Sequence, residues 1–336
     1  MTDLTVLHRL LDEAAHFPPE YERGLSNHLP MVLAAQAGLG ASEAQMRRFF
    51  AGYSGHFKDT PARLATEARP LAAWPDHRGH FEDFERLRAT FAEAIAREGR
   101  EAALRTALPH LVDGVGAAAF HGLIRTAHGF TSRHDGELAM GLAYWAARWM
   151  PLAPPAVCGV AFDSVAEWLD ALDGLVLSCD AGWHSPARTI SRRMQEAVHT
   201  QAYQRLAGCA PAGAVLVDLA HAAAERYART GNFTVLHMVT AAQAALTLAE
   251  LVPSDAAALA PLWQAVAAAS LASRVATMPA SEAATPDLEW PEVRALALAS
   301  DDDHVIKLVH ALLVRQDAAP DPVWLRAARR VLRGSA

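Results

Sequence analysis

Residues 301–310 read Asp-Asp-Asp-His-Val-Ile-Lys-Leu-Val-His and contain the pair of residues most suited to chemistry. At about 100° per residue, His304 and Lys307 share a helical face that continues into apolar residues. Burying an unpaired ammonium costs several kcal/mol, so this lysine must reach water, lose its proton or be converted chemically. Carbamylation by carbon dioxide would give a carboxylate able to bind a metal beside a histidine. The alternative is an amphipathic helix whose Lys307 extends to solvent.

Three further histidines, among 16 in the chain, lie in apolar helical contexts. His28 opens an apolar helix, where it could also be a capping or packing residue. His121 is followed by Gly122, which removes a side chain where another group could approach. His237 lies in a strongly apolar helix, where its alternative is a core histidine bonded to a backbone carbonyl. Imidazoles suit iron, zinc and copper, so these helices predict an inward-facing metal cluster.

His121, Arg125 and His128 form one stripe of one helix at i, i+4 and i+7. The two rings start about 10 Å apart along the axis, so at most one of them is expected to bind a shared metal. Arg125 could stabilise a phenolate or another oxyanion electrostatically, as a catalytic residue. Its alternative is a structural salt bridge to a neighbouring helix.

Four ordered motifs resemble the questin oxidase family, whose helical members open an anthraquinone ring oxidatively. The resemblance extends from about residue 20 to residue 315. The four motifs are Asn27-His28-Leu29-Pro30-Met31, Ala119-Phe120-His121-Gly122-Leu123-Ile124-Arg125, Leu236-His237-Met238-Val239-Thr240 and Asp303-His304-Val305-Ile306-Lys307-Leu308.

The resemblance implies a mononuclear non-haem iron(II) held by four histidines and a carboxylated lysine. The nearby His56, His128 and His310 could each replace one of the histidines. The residues that correspond to the implied ligands are His28, His121, His237, His304 and Lys307.

One position departs from the family pattern. The family often has a second histidine about six residues after that of the Leu-His-x-Val-Thr motif, where this chain has Gln243. Glutamine can orient a bound water or a substrate oxygen, so we interpret Gln243 as a residue that supports the chemistry.

The resemblance implies an oxygenase that cleaves, or inserts oxygen into, a ring of an aromatic polyketide or quinone, by Baeyer–Villiger-like chemistry or dioxygenase ring opening. Phe120, Trp145 or Phe233 could supply aromatic walls for the substrate. The resemblance also implies dioxygen as the second substrate.

Gly114 and Gly116 lack the third glycine and the preceding strand of a nucleotide fingerprint, so NADPH-derived electrons would come from a separate reductase, or the substrate would arrive reduced.

Two other classes remain open. A non-catalytic helical protein could bind a hydrophobic small molecule in the same cavity, but it would have no need to hold His304 and Lys307 together with the other histidines. A helical scaffold for protein partners would instead present its histidines to solvent. Hydrolase signatures, a Walker loop and a His-Glu-x-x-His motif are all missing from the sequence.

The elements that must position these residues are helical throughout. Apolar residues recur at i, i+3, i+4 and i+7, and strand patterns are nearly missing. We therefore predict an all-α, multi-helix array with a buried histidine-rich cavity, in one domain over 1–336, with potential subdomain breaks near 151–157 and 277–290. The predicted helices cover 4–16, 27–38, 42–54, 85–107, 113–129, 135–149, 163–176, 185–206, 214–228, 232–251, 254–276, 290–299, 301–315 and 321–333.

Composition narrows the class of protein. The net charge of −7 and the lack of a basic patch exclude a nucleic-acid partner.

The first residues lack the basic start and apolar block of a signal peptide, so we expect a soluble, cytoplasmic protein with no membrane partner. Cys158, Cys179 and Cys209 match no metal or disulfide spacing, and we expect reduced, mostly buried thiols.

Overall fold

The protein folds into helices with almost no β-structure. The computed structural model describes residues 4–22, 24–59, 68–156, 159–180, 182–252, 256–277 and 287–333, without the side chains of 256–258 and 277. Across these residues there are sixteen α-helices and one short antiparallel hairpin, β1 (Glu20–Tyr21) and β2 (Leu25–Ser26). The predicted all-α class is confirmed.

The helices follow one another along the chain with mostly short connections. In chain order they are α1 (Leu4–Ala14), α2 (Leu29–Gly38), α3 (Glu43–Tyr53), α4 (Phe84–Glu98), α5 (Arg100–Leu111), α6 (His121–Thr131), α7 (Asp135–Ala147), α8 (Val165–Cys179), α9 (Ile190–Ala197), α10 (Gln201–Leu206), α11 (Leu216–Thr230), α12 (Phe233–Leu248), α13 (Ala256–Ser273), α14 (Trp290–Ala299), α15 (Asp303–Ala318) and α16 (Pro322–Leu332).

Helix boundaries follow local chemistry, with one confirmed cap and two splits that the periodicity missed. Ser42 caps α3 through a capping box, as predicted. The predicted helix 85–107 is divided at Gly99, whose φ of +84° is a conformation that glycine adopts readily. The predicted helix 185–206 is divided into α9 and α10, because Thr200 caps a new helix. The predicted start signal at Ser254 lies outside the described residues.

Four helices pack around one axis. The neighbouring pairs are α2 with α6, α6 with α12, α12 with α15, and α15 with α2, which closes the cycle. Helix α6 is backed by α7 at very short range, since a Cβ on Gly122 would lie 2.7 Å from the Cα of Trp145. The lack of a side-chain carbon at Gly122 therefore makes room for the neighbouring helix α7. This backing fixes α6, which carries His121, against the rest of the core.

Helix α12 is unusually apolar. In the part of the chain that is described, the segment Phe233–Leu251 is long and apolar enough to cross a membrane, yet 67% of it is buried inside the protein. Its neighbours are α6, α11, α13 and α15. The segment therefore serves here as a core helix, and it forms one wall of the candidate site.

The cysteines differ from expectation. Cys209 is buried as predicted, but it is disulfide-bonded and so is not a thiol. Cys179 is a free thiol, but it is exposed. Cys158 lies outside the described residues. The predicted reduced state is therefore confirmed for Cys179 and wrong for Cys209, whereas the predicted burial is confirmed for Cys209 and wrong for Cys179. Cysteine spacing along the chain does not report which residues the fold brings together.

Candidate metal centre

The four predicted histidines come from the N-terminal ends of four helices. His28 is the N-cap residue of α2, His121 begins α6, and His304 is the second residue of α15. His237 is the fifth residue of α12. The four helices therefore direct their N-terminal ends to one place, where their partial positive charges also converge.

The imidazole rings form a closed circuit of neighbours. His28 and His121 are stacked with ring centres 4.6 Å apart, and His28 meets His304 edge-on at 4.9 Å. His121 and His237 are 5.0 Å apart, and His237 and His304 are 5.4 Å apart. The ring circuit follows the same cycle as the four helices, so the packing of the helices positions the rings.

Each ring is oriented through its Nδ1 atom. The Nδ1 of His121 donates to the carbonyl of Ala118 at 2.5 Å, and that of His237 donates to the carbonyl of Phe233 at 2.8 Å. These acceptors fix the tautomer, because a carbonyl oxygen cannot donate. The lone pair of each ring is then left on Nε2.

Asp303 orients the other two rings. Its Oδ2 accepts from the Nδ1 of His28 at 2.8 Å, and its Oδ1 contacts the Nδ1 of His304. One carboxylate thus holds two imidazoles, an arrangement common behind metal-binding histidines. Although burial favours the neutral acid, the two imidazole donors and the Lys307 ammonium hold the pKa of Asp303 well below its usual range.

No hydrogen bond reaches the Nε2 atom of any of the four rings from the residues that are described. The Nε2 atoms of His121 and His304 are also sealed from water. An unpartnered buried nitrogen is costly, so these atoms suit a hydrogen-bond donor or a ligand that accepts lone pairs. Imidazole nitrogens are donors that transition metals such as iron accept, and among the described residues His28, Asp303 and His304 place ligand atoms within 4.8 Å of one another.

The segment before α6 has an unusual backbone. Ala118, Ala119 and Phe120 all have positive φ values, of 46°, 56° and 68°. Such values cost energy in residues other than glycine and are typical of functional sites. This left-handed turn brings the Ala118 carbonyl to the ring of His121, and it ends the predicted helix 113–129 on its N-terminal side.

Lys307 lies one turn beyond His304 and is only 4% exposed. Among the described residues, no hydrogen bond or ion pair reaches its ammonium group. Burial lowers the pKa of Lys307 to about 8, and the nearby Asp303 opposes this shift. The neutral amine that reacts with carbon dioxide is therefore accessible near neutral pH. Lys307 does not extend over the protein surface, since it is only 4% exposed, but it lines a cavity.

His28, His121 and His237 are neutral at pH 7, because burial lowers the pKa of each ring. Burial, reinforced by the charge of Lys307, lowers the pKa of His28 to about 3. Burial also lowers the pKa values of His121 and His237 well below their ordinary range. Neutral imidazole is the form that binds metals, so these rings need no deprotonation.

The guanidinium of Arg125 is paired with a carboxylate and is not free. It is 1% exposed and forms a two-point ion pair with Glu137 of α7, with N–O distances of 2.6 and 3.0 Å. Its Nη1 atom has no partner among the described residues. Arg125 therefore forms the salt bridge to a neighbouring helix that the sequence analysis gave as the alternative.

Gln243 forms no described hydrogen bond with the four histidine rings at the helix N-termini. Its Nε2 donates to the hydroxyl of Thr247 at 3.3 Å, while its Oε1 is buried without a described partner. It lines a cavity of about 630 Å³, beside Lys307, His128 and His310. The cavity that the structure shows therefore contains two histidines other than the four predicted ones.

The proposed aromatic walls are dispersed, and none of the three lines this cavity. Phe120 is fully buried, and Trp145 packs behind α6. Phe233 contacts the rings of His237 and His304 at 4.8 and 4.7 Å and is 52% exposed, so it covers the outer side of the cluster.

The structure brings the five predicted ligand residues into one region and places His56 apart from them, bonded to the carbonyl of Tyr53. Two polar partners were missed by sequence reasoning. Asp303 could have been found, since an acid directly precedes His304. Tyr53, whose hydroxyl accepts from the backbone N–H of His28 at 3.0 Å, gave no signal in the sequence.

The fold is helical and brings four histidines together, three of them buried and each oriented through its Nδ1 atom. A family model described as Questin oxidase-like matches residues 25–156, which confirms the questin oxidase-like resemblance for this part of the chain. The match includes His28, His121 and Arg125, but not His237, His304 or Lys307. The description of the matched family names an oxidase-like protein. No curated protein matches the chain.

Proposed function

We propose that the protein is a non-haem iron oxygenase that cleaves, or inserts oxygen into, a ring of an aromatic polyketide or quinone-type substrate. The observation that carries the proposal is the shared orientation of the four imidazoles, each with Nδ1 bonded and Nε2 unpartnered. The residues that would hold iron(II) are His28, His121, His237, His304 and a carboxylated Lys307. Bound iron(II) would supply redox chemistry with dioxygen.

The chain's own groups prepare this site. Asp303 keeps a proton on the Nδ1 atoms of His28 and His304, so the lone pair of both rings lies on Nε2. Backbone carbonyls do the same for the other two rings. Phe233 excludes water from the outer side of the cluster. These partners remove the cost of orienting four rings when the metal binds.

Electrons have to be supplied from outside the described site. The sequence carries no nucleotide fingerprint, so we infer that a separate reductase delivers NADPH-derived electrons, or that the substrate arrives already reduced. A non-catalytic carrier of hydrophobic molecules is the contrasting function. It explains a cavity, but it gives no reason for four oriented imidazoles with unpartnered Nε2 atoms.

The test is elemental analysis of anaerobically purified protein, with Lys307→Met as the variant. Methionine keeps the length and burial of the side chain but cannot be carboxylated. We expect near-stoichiometric iron in the natural protein and its loss in the variant. In ¹³C-bicarbonate, NMR should detect a carbamate carbon in the natural protein alone. A folded natural protein without metal would favour the carrier.

A further inference from the structure

A cavity of about 630 Å³ lies further along the same four helices than the histidine cluster. Its lining residues within these helices follow each histidine by three to ten positions, which corresponds to about 5 to 15 Å along the helix axes. Lys307 belongs to both regions. The small side chains that open the cavity are Ala34, Ala37 and Gly38 on α2, Ala127 on α6, Ala244 on α12 and Ala311 on α15.

The outer end of the cavity is positively charged. Arg294, on α14, lines the cavity and is exposed. It lies against the α2–α3 connection, because a Cβ on Gly40 would be 2.5 Å from its Nη2. Within the described part of the chain, Arg294 forms no ion pair or hydrogen bond, and no carboxylate lines the cavity. Its guanidinium is therefore available to an anionic group of a ligand.

Polar groups inside the cavity are also unpartnered. The rings of His128 and His310 are 5.7 Å apart, and no hydrogen bond reaches either one from the described residues. The buried Oε1 of Gln243 lacks a partner as well. Neutral imidazoles donate and accept, and an amide oxygen accepts, so these groups suit hydroxyl groups on a ligand. The remaining walls are mainly aliphatic and suit an apolar ring.

We propose that this cavity binds a hydroxylated aromatic carboxylic acid, with its carboxylate at Arg294 and its ring toward Lys307. The volume lies within the range of small-molecule sites, about 300 to 1,000 Å³. The inference rests on the proposed function in one respect, since it names the class of substrate that would reach the metal centre. The acidic group and its recognition by Arg294 are features of this chain.

The experiment compares two probes of equal shape, anthraquinone-2-carboxylate and its neutral 2-carboxamide. Each is titrated calorimetrically into the full-length protein under anaerobic conditions and at low ionic strength, where no turnover occurs. We expect the carboxylate to bind about tenfold more tightly than the carboxamide, and we expect this preference to fall as salt is added.

Three variants test whether the preference for the carboxylate probe arises at Arg294 and in this cavity. Arg294→Gln should reduce carboxylate affinity about five- to tenfold and leave carboxamide affinity unchanged, because only the charge is removed. The matched control Arg192→Gln, on α9 outside the cavity, should bind both probes as the natural protein does. Thr247→Trp fills the cavity and should abolish binding of both probes. Circular dichroism checks that each variant is folded.

The inference is overturned if neither probe binds, if both bind equally, or if the preference survives in Arg294→Gln. Binding that persists in folded Thr247→Trp would place the probes elsewhere and overturn it too. Iron content of the same preparations separates the two proposals. Selective binding without iron would leave the cavity assignment standing alone, whereas iron without selective binding would leave only the metal centre.

Discussion

The four central helices carry histidines at a first level, α6 and α15 carry one more each at a second level, and the two levels differ in how their rings are held. At the N-terminal ends, each ring has an acceptor on Nδ1 and an unpartnered Nε2. Deeper along the helices, His128 and His310 have no described hydrogen bond and border an open cavity. On α6 and α15 the same residue type thus stands at both levels, with the first level proposed to hold a metal and the second a ligand.

The comparison shows that orientation separates the two levels better than burial does. Burial lowers the pKa of His310 to about 4 and that of His128 well below its ordinary value, as it does for His28, His121 and His237 at the first level. These five rings are neutral at pH 7. What His128 and His310 lack is a carboxylate or carbonyl that fixes the tautomer and aims the second nitrogen.

The largest expected effect separates the two levels directly. His304→Ala should abolish iron retention, because it removes a ring whose Nε2 is aimed and unpartnered. His310→Ala, a matched change six residues further along α15, should keep near-stoichiometric iron. Elemental analysis of both proteins after desalting gives the readout. Equal iron content in the two variants would show that orientation does not distinguish the levels. His8→Ala, outside both levels, is expected to retain iron.

The second effect concerns stability. Arg125→Met leaves the buried carboxylate of Glu137 unpaired, which should lower the free energy of unfolding by about 3 to 5 kcal/mol. Urea denaturation measures this change. The double variant Arg125→Met, Glu137→Leu removes both charges and should recover most of the loss. If Arg125→Met instead kept its stability and lost activity, Arg125 would act in the chemistry.

The third effect tests the carboxylate behind two of the rings. Asp303→Asn weakens the acceptor that fixes His28 and His304, and we expect iron affinity to fall about 10- to 100-fold. Competition with a chelator measures that affinity. Asp301→Asn, two residues earlier and 88% exposed at its side chain, serves as the control and should leave affinity unchanged. An unchanged iron affinity in Asp303→Asn would show that the carboxylate does not support metal binding.

The smallest expected effect addresses the position where the family often has histidine. Gln243 lies six residues beyond His237, about 9 Å along the helix axis, and belongs to the cavity level. Gln243→His should therefore leave iron stoichiometry unchanged and alter the affinity of the carboxylate probe. Elemental analysis and calorimetry are measured on the same sample. An increase in iron affinity would place residue 243 at the metal level.

Much of this organisation can be predicted from the sequence. Helical periodicity gives the all-α class and most helix positions, because an amphipathic pattern reflects which face must be buried. The oddity of Lys307 beside His304 is also visible in the sequence, since a lysine within an apolar stripe demands an explanation. Residues 25–156 carry enough signal for the family match.

Tertiary structure decided the rest. Whether Arg125 faces a substrate or pairs with Glu137 depends on the approach of α7, which helical periodicity does not encode. The separation of four oriented rings from the His128 and His310 pair depends on where four distant segments converge. Hydrogen bonds between residues as far apart as His28 and Asp303 arise only when helices distant in sequence pack side by side. The residue types therefore come from the sequence alone, whereas their roles come from the partners that the fold supplies.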